Sequence, residues 1–212
     1  MRVGSEVRNG SNMKEYLEEA PQSWSERLVL SAVPKDGTLY SDGFALSAGL
    51  PVSYWGQLYT LLSDMEVELR AYRSEGRVIL TVATEAEVSA PCARCLEPAR
   101  EKIRGELRYV LSLRRGEERA VGEPESDGDE EIIALDSWED EIDLAPMIWE
   151  ALITSLPCGL LCRPDCRGLC PQCGANLNEA PCGCKKDAGD PRFDVLKNFM
   201  RGKGNDTAKN QK

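Results

Sequence analysis

The chain contains no histidine. That excludes Ser-His-Asp and Cys-His catalytic machinery and any mixed Cys/His zinc site. It also has no apolar run near the roughly 20 residues that cross a bilayer, so no transmembrane helix is expected. Met1 to Asn12 carries two arginines with no apolar stretch behind them and does not read as a secretory signal. A cytoplasmic chain is the expectation. Its 212 residues are 42% hydrophobic and 29% charged, enough for one folded domain with a small appendage and too apolar for wholesale disorder.

What the chain does have is nine cysteines. With histidine absent, whatever they do rests on sulfur alone. Clustered cysteines in a reducing compartment are more often metal ligands or redox groups than structural disulfides. Charge is unevenly placed as well. Residues 1–115 hold 16 acids and 15 bases, 116–157 hold 14 acids and one base, and 158–212 hold 6 acids and 10 bases. The net charge of −10 therefore hides a basic C-terminal part. Whole-chain acidity argues against broad non-specific nucleic-acid binding, but local patches decide contacts.

Residues 1–22 are polar and read as a flexible tail with a short helical attempt at Met13 to Ala20. A strand is expected near Leu28, Val29 and Leu30. Residues 33–64 are punctuated by Pro and Gly and predict turns and short irregular strands. From Met65 the pattern is clear. Val67, Leu69 and Ala71 alternate with charged residues, Ser74-Glu75-Gly76 is a turn, and Val78 to Val88 alternate again. A third strand presents Ile103, Leu107, Tyr109, Leu111 and Leu113 to one side and Arg100, Lys102, Arg104, Glu106 and Arg108 to the other. The expected fold is α+β: a β-rich antiparallel meander over 23–115, an acidic linker at 116–142 and one helix at 143–157 with Asp143 as its N-cap. A Cys-rich, zinc-ribbon-like module at 158–200 and a disordered basic tail at 201–212 complete it. Glu131 to Leu135 is expected to add a short strand.

Seven cysteines fall between Cys158 and Cys184. Cys170-Pro-Gln-Cys173-Gly has the form of a zinc knuckle: two intervening residues let both thiolates reach one ion, and the glycine permits a tight turn. Cys182 and Cys184 supply a second pair, so Cys170, Cys173, Cys182 and Cys184 are the primary ligand set. Cys162 and Cys166 are alternates for the second pair, or partners of the distant Cys92 and Cys95 in a second site. One or two zinc ions are expected, although an all-cysteine iron–sulfur site fits on ligand type alone. Cys158 reads as a small buried residue. Cys92-Ala-Arg-Cys95 follows a strand and precedes another, without the helix that activates a thioredoxin-type thiol. It reads as a packed turn or a metal half-site, with Arg94 able to hold a phosphate or carboxylate.

Cys92-x-Arg94-Cys95-Leu96-Glu97-Pro98 comes after a strand. It is followed by an acidic linker, a helix ending at Leu156-Pro157, the run from Cys166 to Asn178, the Cys182/Cys184 pair and Asp190-Pro191-Arg192-Phe193. In this order the motifs resemble the YceD family of large ribosomal RNA subunit accumulation proteins, over about residues 24–200. The resemblance implies a role in accumulation or processing of large-subunit ribosomal RNA and in assembly of the large subunit, without established catalysis. It implies large-subunit ribosomal RNA, a precursor particle or a ribosomal protein as partner. It also implies that Cys92, Arg94 and Cys95 form the family motif, with the C-terminal cluster an addition.

Positive charge must then meet phosphate somewhere. Two patches are candidates: Arg100, Lys102, Arg104 and Arg108 on one strand face, and Arg163, Arg167, Lys185, Lys186 and Arg192 around the cysteine module. Trp149 and Phe193 can stack on bases, although core packing is the commoner use. The competing functional class is a thiol redox protein or sensor acting through Cys92 and Cys95. A nuclease would need a metal–carboxylate site, which the acidic stretch does not fix in place.

Overall fold

The computed structural model describes residues 15–113, 131–138 and 141–184. The chain divides into two compact units, residues 1–166 and 167–212. Cys158 to Cys166 thus belongs to the first unit.

The first unit is built on a twisted sheet. Its strands are β1 (Arg27–Val29), β2 (Tyr40–Leu46), β3 (Val52–Tyr54), β4 (Gln57–Leu61), β5 (Met65–Ser74), β6 (Arg77–Pro91), β7 (Pro98–Leu113), β8 (Glu131–Leu135) and β9 (Glu141–Asp143), followed by α1 (Ala145–Ser155). β6 is the spine. One side pairs with β5 over its first part and with β4 near its end, and the other side pairs with β7 along its whole length. β2 extends the sheet beyond β5, and β3 pairs with β4. β1 and β9 form a separate antiparallel ribbon.

Period-two alternation explains the strands. Met65, Val67, Leu69 and Ala71 of β5, Val78, Leu80, Val82, Ala86 and Val88 of β6, and Ile103, Tyr109 and Leu111 of β7 are all buried. Register puts them on one face. A two-residue turn sets the β5–β6 register. Glu75 and Gly76 both have positive φ between Ser74 and Arg77, which is the backbone that matches strand twist in a tight hairpin.

α1 lies on this buried face with Ala145, Met147, Ile148, Ala151 and Leu152 turned inward. Gly105 of β7 makes the approach possible: a Cβ there would stand 2.0 Å from the Ala151 carbonyl oxygen. Arg73 ties the edge of the core to the 3₁₀ turn at Leu30–Ala32. It donates to the carbonyls of Leu30 (2.9 Å) and Val33 (3.1 Å) and stacks over Trp138 at 4.8 Å.

Several expectations are corrected. Residues 15–20 are not helical; Leu17 instead forms a parallel bridge with Val52, with Leu17 N–H donating to the Pro51 carbonyl at 2.8 Å. The N-cap position of α1 is Leu144, not Asp143. Asp143 lies in β9, and its carboxylate still accepts from the Ala145 N–H at 3.0 Å, so it satisfies an orphan donor from one residue further out. β8 forms as expected but pairs parallel to β7, not as a further turn of the meander. Cys158 is exposed, because it sits in the loop after α1 and not under the helix. The solvated acidic loop expected at 116–130 and the basic tail lie outside the described residues. No described helix is long and apolar enough to cross a membrane.

Candidate metal centres

The six-residue loop between Pro91 and Pro98, which close the β6–β7 ladder, holds the first centre. Within it Leu96 N–H donates to the Cys92 carbonyl (3.0 Å) and Cys92 N–H to the Glu97 carbonyl (2.8 Å). Leu96 carries the left-handed backbone (φ 65°) that this turn needs. The Arg94 N–H points at the Cys92 sulfur at 3.5 Å. Both thiols therefore face one point, with a backbone donor aimed at sulfur.

The loop after α1 completes the set. Leu160 is buried and its carbonyl accepts from Ala93 N–H at 2.8 Å, which lays the loop along the cysteine turn. Arg94 donates through Nη1 to the Cys166 carbonyl at 2.9 Å. The Cys92 and Cys166 sulfurs are 3.8 Å apart, those of Cys95 and Cys162 are 3.5 Å apart, and all four lie within 4.8 Å of one another. A tetrahedron with 2.3 Å metal–sulfur bonds has edges of about 3.8 Å. Cys92 (0% exposed), Cys95 (4%) and Cys166 (3%) are buried, while Cys162 is at the surface.

In the second unit the same turn recurs. Gly174 N–H donates to the Cys170 carbonyl (2.9 Å), Cys170 N–H donates to the Ala175 carbonyl (2.8 Å), and Gly174 has φ 72°. The two turns share both hydrogen bonds, with Leu96 standing where the second has glycine. Asn176 and Asn178 brace the loop that follows: the Asn178 side chain accepts from Arg167 N–H at 2.7 Å, and the Asn176 side chain accepts from Asn178 N–H at 3.1 Å. Cys170, Cys173, Cys182 and Cys184 again lie within 4.8 Å of one another.

Within each set the thiols are pushed in opposite directions. Burial pushes the Cys92 thiol up, but donors from the Cys162, Arg94 and Cys95 backbone outweigh it and bring Cys92 down to about 6. Cys162, hydrogen-bonded to Cys95 and desolvated beside the other sulfurs, is pushed up to about 12. In the second set the backbone N–H groups of Cys173 and Gln172 bring Cys170 down to about 6, and hydrogen bonding to Cys173 with burial pushes Cys184 up to about 12. One thiol of each set carries a charge readily while a neighbour resists it. A divalent cation removes that conflict by stabilising all four as thiolates. Both clusters could hold metal ions.

The structure thus brings Cys170, Cys173, Cys182 and Cys184 together, and separately joins Cys162 and Cys166 to Cys92 and Cys95, which the sequence offers only as one alternative. The signal was present in the Cys-x-x-Cys spacing, but leucine in place of glycine after the second cysteine obscures the knuckle. Arg94 is committed to the Cys166 carbonyl. Arg100, Lys102, Arg104 and Arg108 are exposed along β7, where Lys102 and Arg104 face Glu87 and Glu85 of β6 across the ladder. Arg163 lies 3.6 Å from Asp165, and Arg167 is exposed. Trp149 is half-buried and packs at 6.2 Å from Trp24, a core contact. Lys185, Lys186, Arg192 and Phe193 lie outside the described residues.

A family model described as large ribosomal RNA subunit accumulation protein YceD matches residues 80–200. That span is more than half the chain and contains both four-cysteine clusters. An uncharacterized protein of Mycobacterium tuberculosis is 32% identical over 148 residues, covering 70% of this chain and 67% of that protein. The chloroplastic large ribosomal RNA subunit accumulation protein YCED homolog 1 of Arabidopsis thaliana is 25% identical over 193 residues, covering 82% of this chain and 59% of that protein. Its Zea mays namesake is 28% identical over 148 residues, covering 56% and 48%. No solved structure matches the chain.

Proposed function

The chain belongs to the YceD family, and on that premise we propose that it is a non-catalytic factor in the accumulation of large-subunit ribosomal RNA. It acts in the cytoplasm on a precursor of the large ribosomal subunit, through RNA or through a ribosomal protein. The observation that carries this reading is the family match over 80–200, whose description names that role and whose span includes every residue of both clusters. The names of the plant relatives point the same way.

The donor sets support structural zinc, one ion in each cluster. Four sulfurs at tetrahedral spacing suit zinc. Bound zinc would supply a cross-link there and, with four protein ligands, leave no position for a substrate or water. The chain's own residues do the rest: the Cys92 and Cys170 turns orient their thiolates, and Arg94 and Leu160 hold the closing loop in place.

Depleting the protein in its native cell tests the role. The expected result is a lowered ratio of large- to small-subunit ribosomal RNA, restored by the wild-type chain. An unchanged ratio refutes it. Crosslinking of the tagged protein with sequencing of attached RNA then separates direct contact from contact through a protein.

One observation favours a second reading. Cys92 at about 6 is a thiolate near neutral pH, as a redox thiol would be. Burial of Cys92 and Cys95 and their enclosure by Cys162 and Cys166 weigh against it. Turnover of a model disulfide by the metal-loaded protein, lost in Cys92→Ser, would establish the redox reading.

A further inference from the structure

We propose that the indole of Trp55, at the tip of the β3–β4 hairpin, is a stacking platform for an unpaired RNA base. The inference rests on the ribosomal RNA reading and gives it a point of contact.

Tyr54 pairs with Gln57, so Trp55 and Gly56 alone make the turn. Both have positive φ, 51° and 76°. A two-residue turn with that backbone favours Asn-Gly, because asparagine tolerates the left-handed conformation and a bulky residue does not. The β5–β6 turn has polar Glu75 at the matching position. At the β3–β4 tip the same position holds a tryptophan, and core packing does not account for it. Trp55 is 84% exposed, more than any other large apolar side chain among the described residues. A Cβ on Gly56 would meet nothing within 4 Å, so the tip stands clear of the body. A side chain that suits neither its turn nor the core points to use in binding.

The platform is held in place from below. Gln57 donates through Nε2 to the Pro91 carbonyl at 3.0 Å, which pins the hairpin to the end of β6. The Tyr54 ring meets the indole at 6.3 Å and 83°, a T-shaped contact that sets its tilt. A ring set in advance loses little freedom on binding.

Size and charge select the occupant. A tryptophan offers about 150–250 Å² of contact, and Leu58, 45% exposed, is the only other exposed large apolar side chain between Val52 and Leu61. A stable protein interface takes about 800 Å² per partner, whereas one base needs one ring face. Residues 43–63 carry no charged side chain, in a chain that is 29% charged. The hairpin therefore has no carboxylate of its own to repel a phosphate backbone. Glu18, next to the Leu17 bridge to Val52, and Glu87, whose carbonyl accepts from Leu62 N–H, belong to neighbouring segments. Stacking, unlike phosphate binding, needs no cation at the spot, which suits a chain of net charge −10.

The test measures binding of the metal-loaded full chain to a short fluorescent single-stranded oligoribonucleotide of mixed sequence, from low salt upward. Trp55→Asn removes the ring and suits the turn, so its thermal midpoint should not fall below wild type; a lower midpoint overturns the claim that the ring is foreign to the turn. Its affinity is expected to drop about 5- to 150-fold, the loss of one stacked base. The log–log salt slope should stay unchanged, since no phosphate contact is removed. Trp55→Phe should fall in between, Trp55→Leu should match Trp55→Asn, and Leu58→Ser should bind as wild type. A strand of the same length without bases should bind wild type no better than Trp55→Asn binds the normal strand. Equal binding by Trp55→Asn and wild type overturns the proposal, as does no wild-type binding at low salt. If Trp55→Asn instead loses binding only to intact large-subunit particles, the indole fits an apolar pocket of a protein and the base is the wrong occupant. All of these outcomes are separate from the depletion experiment: a lowered ribosomal RNA ratio with no stacking at Trp55 keeps the role and removes only this contact.

Discussion

Replacing Gly105 by alanine tests how α1 is seated. The added Cβ would meet the Ala151 carbonyl oxygen at 2.0 Å, its carbon at 2.9 Å and the Thr84 hydroxyl at 3.0 Å. An ordinary contact needs about 3.4 Å or more, so the helix must lift by roughly 1 Å or the strand must bend. Both first obstacles are backbone, and no rotamer change relieves them. Met147, Ile148 and Leu152 are the large side chains that α1 buries, worth about 2 kcal/mol each, or about 6 kcal/mol together. A gap of 0.5–1 Å forfeits a quarter to a half of contact energy. The expected loss is therefore about 1.5–3 kcal/mol, within the range for overpacked cores. At about 2–4 °C per kcal/mol for a chain of this size, the midpoint falls by about 3–12 °C. The assays are thermal and denaturant unfolding of the metal-loaded protein, with Gly43→Ala as control. Gly43 lies on exposed β2, where the nearest obstacle to a Cβ is 3.5 Å away, so its change should stay within about 0.5 kcal/mol. If Gly105→Ala is as stable as Gly43→Ala, α1 does not lie against β7 at this point and the packing reasoning fails.

Elemental analysis should find two zinc ions per chain, with one lost in Cys162→Ser and the other lost in Cys182→Ser; a single ion, or loss of both in either variant, contradicts two independent centres. A thiol reagent should modify Cys158 quickly in the loaded protein and all nine cysteines after chelation. Leu96→Gly should stabilise the first knuckle by about 0.5–1 kcal/mol. Relief of a left-handed L-residue is worth about 1–2 kcal/mol and the entropy of an unfolded glycine returns part of it; competition with a chelating dye would show tighter metal, and weaker metal would refute the assignment. Arg73→Ala removes two charge-assisted bonds to backbone carbonyls and the Trp138 contact, and thermal unfolding should register a loss of about 2–3 kcal/mol.

The strands that alternate were legible because a sheet with one wet and one dry face writes its period into the chain. β5, β6 and β7 follow this rule closely. β8 was legible as a strand, but not its parallel direction. Parallel pairing needs a long crossover, here the 17 residues 114–130, whose composition says nothing about direction. Leu17 was read as part of a helix because a single bridge to Val52 leaves no periodic trace. Gly105 carried no visible meaning among the residues of β7, since its role depends on a helix 40 positions later. The second cysteine set was readable from local spacing. The first was left open because its halves lie far apart and Leu96 occupies the place where glycine advertises a knuckle.

That distance has a consequence for the order in which the molecule is made. Between Cys95 and Cys162 the chain runs 67 positions, whereas Cys173 and Cys182 are nine apart. Closing the longer loop costs about 1.8 kcal/mol more chain entropy, so unaided metal capture favours the short one. During synthesis Cys92 and Cys95 emerge with no partner until β7, β8 and α1 have followed. The second centre can load on its own short segment. The first can load only when the sheet has formed and the helix has returned Cys162 and Cys166 to the β6–β7 turn. Metal held by the first centre would thus mark a body whose sheet and helix are already in place.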